Sequence, residues 1–267
     1  MNICLSFDRA FVPYALATMN SVHANGLAAG ESVEWWLTPA DDVPTSVLDL
    51  MADRARPYGT VHLLRVPAEI DSLPKSYWRV MSRISSAAHY RLLLPELMPP
   101  SVERILYLDC DVLCTGSLAP LWRTDLRGEL LGAVRDPGAP TISAAGGLPG
   151  FRAGAGRLRF WSDYFNSGVL LMDLARCREE DLTTTMLNYL QDNSTRLRFV
   201  DQDALNFAAD DRWLRLERRW NDLIYGYERG RDGAVEPGIL HFAGAEKPWE
   251  DSFPDPALKA LYQKHLW

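Results

Sequence analysis

Residues 105–114 read ILYLDCDVLC, an apolar run that ends in two carboxylates, Asp109 and Asp111. Successive side chains of a strand point to opposite faces, so two acids spaced by two on strand-like backbone share a face and converge. Like charges side by side repel, and a desolvated carboxylate is costly unless a proton, a basic side chain or a metal ion compensates it. The run therefore predicts a strand that delivers an acidic pair, in need of a cation, at its carboxyl end. In open α/β sheets, ligands bind at that end of the strands.

Upstream and downstream, the same kind of run recurs: ICLSF (3–7), VEWWL (33–37), VHLLRV (61–66), RILYLD (104–109) and LLGAV (130–134). The segments Phe11–Ala24 and Val43–Arg56 between the first three have helix length. This alternation predicts βαβ units, an α/β fold with a mostly parallel sheet flanked by helices. Asp8, after ICLSF, falls at a strand end equivalent to that of Asp109. A helix beginning near Ile84 is expected to stop at Pro95, Pro99 and Pro100.

The second half is less regular. YFNSGVLLMDL (164–174), a helix from Leu174 to about Asp192, and short strands at WLRLE (213–217) and ILHFA (239–243) are expected, with Asp173 as a helix cap. In VDQDALN (200–206), a strand-like local geometry would point Asp201 and Asp203 together and away from Gln202. Between Pro137 and Arg157 lie six glycines and three prolines with almost nothing to anchor a core, which predicts a flexible loop, either a lid or a surface insertion. No linker divides the chain, so residues 1–267 are expected to form one domain with an elaborated C-terminal part.

Composition removes several function classes. With 47% hydrophobic and 24% charged residues in 267, the chain is neither disordered nor a coiled coil. A net charge of -7 and a pI near 5.3 argue against nucleic acid as a partner. Cys4, Cys110, Cys114 and Cys177 match neither a zinc knuckle nor a redox pair, no secretory signal precedes them, and no apolar stretch reaches 18 residues. The expectation is a cytoplasmic protein with reduced thiols and no transmembrane segment; peripheral attachment at the inner face of the membrane stays open.

A second chemical signal is HFAGAEKPW (241–249). His241 beside two carboxylates would make an O,O,N site suited to Mn²⁺, with Mg²⁺ a poorer alternative for an imidazole. Lys247 would present an ammonium to phosphate oxygens, and Gly244 would let backbone approach them. The bland reading of His241 is a strand histidine bonded to a backbone carbonyl. Phosphatases of the haloacid dehalogenase type also place D-x-D after an apolar strand, but they usually carry Thr or Val where Leu113 stands here, and no lysine segment followed by paired acids completes their site. Trp35 and Trp36, in mid-strand, read as core packing rather than a sugar platform.

The order FD, LYLDCDVLCTGSLAPLW, YFNSGVLLMDL, DQDALN, RWN and HFAGAEKPW resembles family 8 of the glycosyltransferases, over Asn2 to Trp249. That family includes bacterial lipopolysaccharide galactosyl- and glucosyltransferases, with glycogenin among its relatives. The resemblance implies a GT-A fold, a divalent metal (usually Mn²⁺), a UDP-hexose donor such as UDP-galactose or UDP-glucose, and transfer with retention to a hydroxyl acceptor: a glycan, a lipid-linked sugar or a small molecule. It also implies roles by position. Asp109, Asp111 and His241 match metal ligands, and Lys247 and Gly244 match diphosphate-binding positions. Asp8 and Phe11 match contacts to the base. Arg91, Asn166, Asp136, Asp201 and Gln202 match positions that hold the donor sugar or lie beneath its anomeric carbon. Ala10 departs from the Asn common in the bacterial galactosyltransferases. A nucleotide-sugar-binding protein without transfer and a D-x-D phosphohydrolase are the alternative readings.

Overall fold

The computed structural model describes residues 1–67, 86–152, 154–193, 195–225 and 236–266. Its centre is a seven-stranded sheet. In chain order the strands are β1 (Asn2–Phe7), β2 (Val33–Pro39), β3 (Gly59–Leu63), β4 (Arg104–Leu108), β6 (Leu131–Ala133), β7 (Val169–Asp173) and β8 (Trp213–Arg215), arranged β3-β2-β1-β4-β7-β6-β8. Pairings β1 with β2, β2 with β3, β1 with β4 and β6 with β8 are parallel; β7 runs antiparallel to both β4 and β6. A second, three-stranded sheet has the order β5-β10-β9, from β5 (Val112–Cys114), β9 (Asp222–Leu223) and β10 (Ile239–His241).

The large sheet is apolar on both faces because helices cover both, as a mixed sheet inside an α/β protein requires. On β4, Ile105 and Tyr107 join Leu170 and Met172 of β7 in the core beneath α5 (Leu174–Glu179), α6 (Leu182–Asn193) and α7 (Val200–Ala209). Leu106 and Leu108 turn the other way, to the core beneath α1 (Val12–Ser21) and α2 (Thr45–Ala55), which also takes in Leu121 of the short α4 (Ala119–Trp122). Each fully buried aliphatic side chain contributes roughly 1.5–3 kcal/mol. Trp35 and Trp36 are both buried, as mid-strand packing predicts.

Five local expectations need correction. β4 ends at Leu108, so Asp109 to Asp111 form the turn between β4 and β5 rather than strand. The start of the expected helix near Ile84 lies outside the described residues; from Ser86 to Leu93 the backbone is a 3₁₀ run, followed by the single turn α3 (Leu94–Leu97). Pro95 opens that turn instead of ending a helix, since its missing N–H falls among donors that have no intrahelical partner. The helix expected over 174–192 is broken at Asp181, whose left-handed φ of 49° separates α5 from α6. VDQDALN is helical, in α7. Finally, the segment 137–157 does reach the core: Ala139, Ile142, Ala145 and Leu148 are buried in it. Two of these anchors are alanines, and the glycines and prolines around all four hide them from a reading of composition. Asp173 caps α5 as expected, its carboxylate accepting from Arg176 N at 2.9 Å.

Candidate functional site

The site forms where the two sheets meet. β10 pairs antiparallel with β5, His241 opposite Val112, and Phe242 N–H donates to Asp111 O at 3.0 Å. That register sets the imidazole beside the turn that carries the two acids. Asp109, Asp111 and His241 each turn a ligand atom to the others, all within 4.8 Å, the one such group of His, Cys, Asp and Glu among the described residues. His241 Nε2 lies 3.2 Å from Asp111 Oδ1 and 3.8 Å from Asp109 Oδ2.

Each carboxylate spends its other oxygen on a basic side chain. Arg91 Nη2 meets Asp109 Oδ1 at 2.7 Å, and Tyr107 Oη donates to the same oxygen at 2.9 Å. Lys247 Nζ donates to Asp111 Oδ2 at 2.7 Å and to Phe242 O at 2.6 Å. Burial by itself would raise the Asp111 pKa, but the Lys247 ammonium outweighs it and holds the carboxyl below the usual range. Arg91 is buried as well, which would weaken its charge, yet Asp109, Tyr107 and Asp201 raise its pKa above the ordinary arginine value. What faces inward is Asp109 Oδ2, which Arg91 Nη1 reaches only at 3.4 Å, together with Asp111 Oδ1 and His241 Nε2. Two carboxylate oxygens and one imidazole nitrogen are a donor set that fits a divalent cation such as Mn²⁺. The space for one exists because residue 168 is glycine: a Cβ there would sit 2.7 Å from Asp109 Oδ2 and against the His241 ring.

A buried polar chain adjoins this set. Arg91 Nε faces Asp201 Oδ2 at 3.3 Å, and Ser167 Oγ donates to the same oxygen at 3.2 Å. Asn166 Nδ2 donates to Gln202 Oε1 at 3.1 Å, and Gln202 Nε2 donates to Asp136 Oδ2 at 3.2 Å. Tyr225 Oη reaches Asp136 Oδ1 at 3.0 Å. The helicity of α7 makes this possible: Asp201, Gln202 and Asp203 fan out around its first turn. Asp203 points away, accepting from Tyr164 Oη and from the N–H groups of Arg198 and Phe199. Burial raises its pKa, and those hydrogen bonds work against the rise.

The third part is aromatic. Tyr14 and Trp249 stack with ring centroids 3.6 Å apart, and Phe11 meets both edge-on. Lys247 Nζ lies 5.9 Å from the Trp249 ring, which ties this cluster to Asp111. Asp8 sits at the carboxyl end of β1, beside β4, with its Oδ1 accepting from Phe11 N at 3.0 Å. Gly244 is half-buried in the bend before Lys247. The sequence-derived residues thus fall into three connected groups. Among the described residues, Asp8 forms no hydrogen bond or ion pair with the metal-type set; it shares only the end of the sheet.

Three functional neighbours escape a sequence reading. Tyr107, Ser167 and Asn221 hold Asp109, Asp201 and His241 respectively. Ser167 and Asn221 lie inside the stretches YFNSG and RWN, but no spacing rule says what they touch.

The family model "Glycosyl transferase family 8" matches residues 2–252 of the chain. The chain belongs to that family. General stress protein A of Bacillus subtilis (strain 168) is 29% identical over 203 residues, 70% of this chain and 68% of that protein. Glycosyltransferase GlyF of Streptococcus pneumoniae is 28% identical over 254 residues, 93% of this chain but 57% of its own length. The crystal structure of the galactosyltransferase LgtC in complex with donor and acceptor sugar analogs superposes with a TM-score of 0.83 at 24% identity, covering 100% of this chain and 95% of that one. At that identity the likeness establishes the GT-A fold. Family membership favours glycosyl transfer over the D-x-D phosphohydrolase alternative. Among the described residues, no helix is long and apolar enough to cross a membrane.

Proposed function

We propose that the protein is a retaining, metal-dependent glycosyltransferase that moves a hexose, galactose or glucose, from a UDP-sugar to a hydroxyl of an acceptor. The observation that carries this is the convergence of Asp109 Oδ2, Asp111 Oδ1 and His241 Nε2 at the carboxyl end of β4, in a chain of this family. Mn²⁺ is the cation the imidazole favours, with Mg²⁺ the alternative. When bound, it supplies Lewis-acid stabilisation of the departing nucleoside diphosphate.

The chain's own groups do the rest. Lys247 carries three donors on one ammonium, so it can keep Phe242 O and present a hydrogen to a phosphate oxygen where Asp111 now takes it. The backbone at Gly244 lets the diphosphate approach. Asp8 and Phe11 hold the base. Arg91 and Asn166 hold the sugar, with Asp136, Asp201 and Gln202 beneath the anomeric carbon. These last three, together with Arg91 and Asn166, are buried, so the pocket floor excludes water and keeps its dipoles fixed.

Retention requires attack on the same face as the leaving group or two inversions through a covalent adduct. Gln202 Oε1 already accepts from Asn166 Nδ2 and Ser167 N, and Asp201 is engaged by Arg91 and Ser167. Oxygens committed in this way are poor nucleophiles, which favours same-face attack. Mass spectrometry of enzyme quenched during turnover is expected to find no sugar on Gln202, Asp201 or Asp203; a stable adduct on any of them overturns that mechanism.

Calorimetric titration with UDP-, GDP- and dTDP-hexoses tests the donor reading, with and without Mn²⁺. One UDP-hexose is expected to bind only with metal, and Asp111→Asn is expected to lose at least about 100-fold in affinity, beyond what loss of an outer-shell partner typically costs. Binding of another nucleotide, or metal-independent binding, sinks the assignment. With the donor fixed, EDTA is expected to abolish transfer and Mn²⁺ to restore it; glycans, lipid-linked sugars and small molecules are the acceptors to screen.

A further inference from the structure

Asn221 is fully buried at the end of the 3₁₀ turn Arg218–Asn221, directly before β9. Its Oδ1 lies 2.9 Å from His241 Nδ1, and its Nδ2 lies 2.9 Å from Asn166 Oδ1. Taken as a pair, an amide and a neutral imidazole fit in two ways, because the amide can be turned over and the ring proton moved to the other nitrogen. The main chain breaks the tie two side chains away.

Asn166 Oδ1 also receives the Gly168 N–H, at 2.9 Å. A peptide N–H only donates, so that atom of Asn166 is its oxygen. The Asn221 atom facing it must then be the NH₂ group, which turns the Asn221 oxygen toward His241. An amide oxygen only accepts, so His241 Nδ1 carries the hydrogen. A second peptide group agrees: Ser167 N–H donates to Gln202 Oε1 at 3.0 Å, and that oxygen also takes the Asn166 NH₂. Gln202 then donates to Asp136 Oδ2, which as a carboxylate oxygen only accepts. Every donor in the chain His241, Asn221, Asn166, Gln202, Asp136 points the same way. Reversing one amide would set oxygen against oxygen and N–H against N–H inside the core.

We infer that Asn221 is a positioning residue: it passes the orientation set by the peptide groups of Gly168 and Ser167 to His241, fixes the proton on Nδ1, and so turns the Nε2 lone pair to Asp109 and Asp111. The inference deepens the proposed metal site and rests on that reading of the three residues. A ligand histidine is commonly held by an acceptor on its other nitrogen. Here that acceptor is itself held by an asparagine whose orientation the backbone sets, so the metal-type set and the proposed sugar pocket share one polarised chain.

The test is ¹H–¹⁵N NMR of the full chain labelled with ¹⁵N-histidine at about pH 9, where an ordinary imidazole is neutral. The His241 signals are identified by their loss in His241→Asn. The wild type is expected to show a protonated Nδ1 and a bare Nε2. Asn221→Leu, which removes the acceptor, is expected to move the hydrogen to Nε2 and to weaken Mn²⁺ binding about 10- to 100-fold. Asn221→Asp keeps an acceptor opposite Nδ1 and is expected to keep the wild-type tautomer, a rescue that a space-filling role would not give. A wild-type ring protonated on Nε2, or on both nitrogens, overturns the inference, as does an Asn221→Leu protein that folds and keeps Nδ1–H. If Asn221→Leu does not fold, the wild type and Asn221→Asp decide: Nδ1–H in both supports the inference and Nε2–H in either overturns it. A wild type that shows the expected tautomer but binds no Mn²⁺ overturns the metal reading while upholding the role of Asn221.

Discussion

Arg91 holds two carboxylates apart, the half-buried Asp109 and the buried Asp201. Its guanidinium serves Asp109 through Nη2 and Asp201 through Nε, and donates to Ser167 O through Nη1 at 2.7 Å. Removing one partner of such a set leaves charge in a poorly solvated place, at a cost of about 3–5 kcal/mol. Arg91→Met is therefore expected to lower the melting temperature by roughly 10 °C in a domain of this size. Arg91→Lys is expected to recover only part of that, since one ammonium cannot reproduce the planar fork that spans both acids. Differential scanning calorimetry of the two variants checks the order. An Arg91→Met protein as stable as the wild type would mean that the two acids tolerate each other unaided. The type of residue at 91 was legible in the sequence as a position near the donor, but its partners, Asp109 and Asp201, lie 18 and 110 residues away and no local pattern names them.

At the scale of elements, α1 runs on into a π-helical turn, Val22–Gly26, that carries His23 against β2. Trp35 Nε1 donates to His23 Nε2 at 3.0 Å, and the His23 ring stacks on Tyr58. Burial holds the His23 pKa down to about 4. Its value in the unfolded chain is about 6.5. Between the two, the unfolded state binds a proton that the folded state refuses, so stability is complete above about pH 6.5 and falls as pH drops toward 4. The ring is partly solvated, so the loss is expected to be on the order of 1–2 kcal/mol. Urea midpoints at pH 7 and pH 4.5 should differ less in His23→Gln than in the wild type; an equal difference in both would clear His23 of the effect. The corrected elements share a cause with this one. VDQDALN shows no clear period over its seven residues, and it packs as a helix because Ala204 and Leu205 meet the sheet from α7 while Asp203 binds the preceding N–H groups. Packing decides so short a segment.

For the molecule as a whole, the last helix, α8 (Pro256–Gln263), supports a site that it does not enter. Tyr262 is fully buried, with its ring 5.4 Å from Phe242 and 5.6 Å from Trp249. Phe242 follows His241, and Trp249 follows the Lys247 turn, so this one ring backs both flanks of the proposed diphosphate pocket. Truncating a buried aromatic costs about 3–5 kcal/mol. Tyr262→Ala is accordingly expected to lose stability and also to weaken UDP-sugar binding roughly 3- to 30-fold without removing any donor contact. Calorimetry on the folded variant well below its melting point separates the two effects. Unchanged affinity would show that the 241–249 segment holds its own shape.

What the sequence determined by itself is what backbone geometry makes periodic. Strands with side chains on alternate faces wrote Ile105 and Tyr107 into one core and Leu106 and Leu108 into the other, and the recurrence of such runs announced the α/β sheet. The acidic pair, His241 and Lys247 were legible as residue types, and the order of motifs tied them to a family. The tertiary structure alone decided how they meet. Asp109 and Asp111 converge through a turn between two sheets, His241 arrives through the antiparallel register of β10 on β5, and Lys247 reaches Asp111 across 136 residues. It also chose Asn221 to face His241. Contacts between residues so far apart in the chain are set by strand register and the closure of long loops, and neither leaves a periodic trace in the residues that touch.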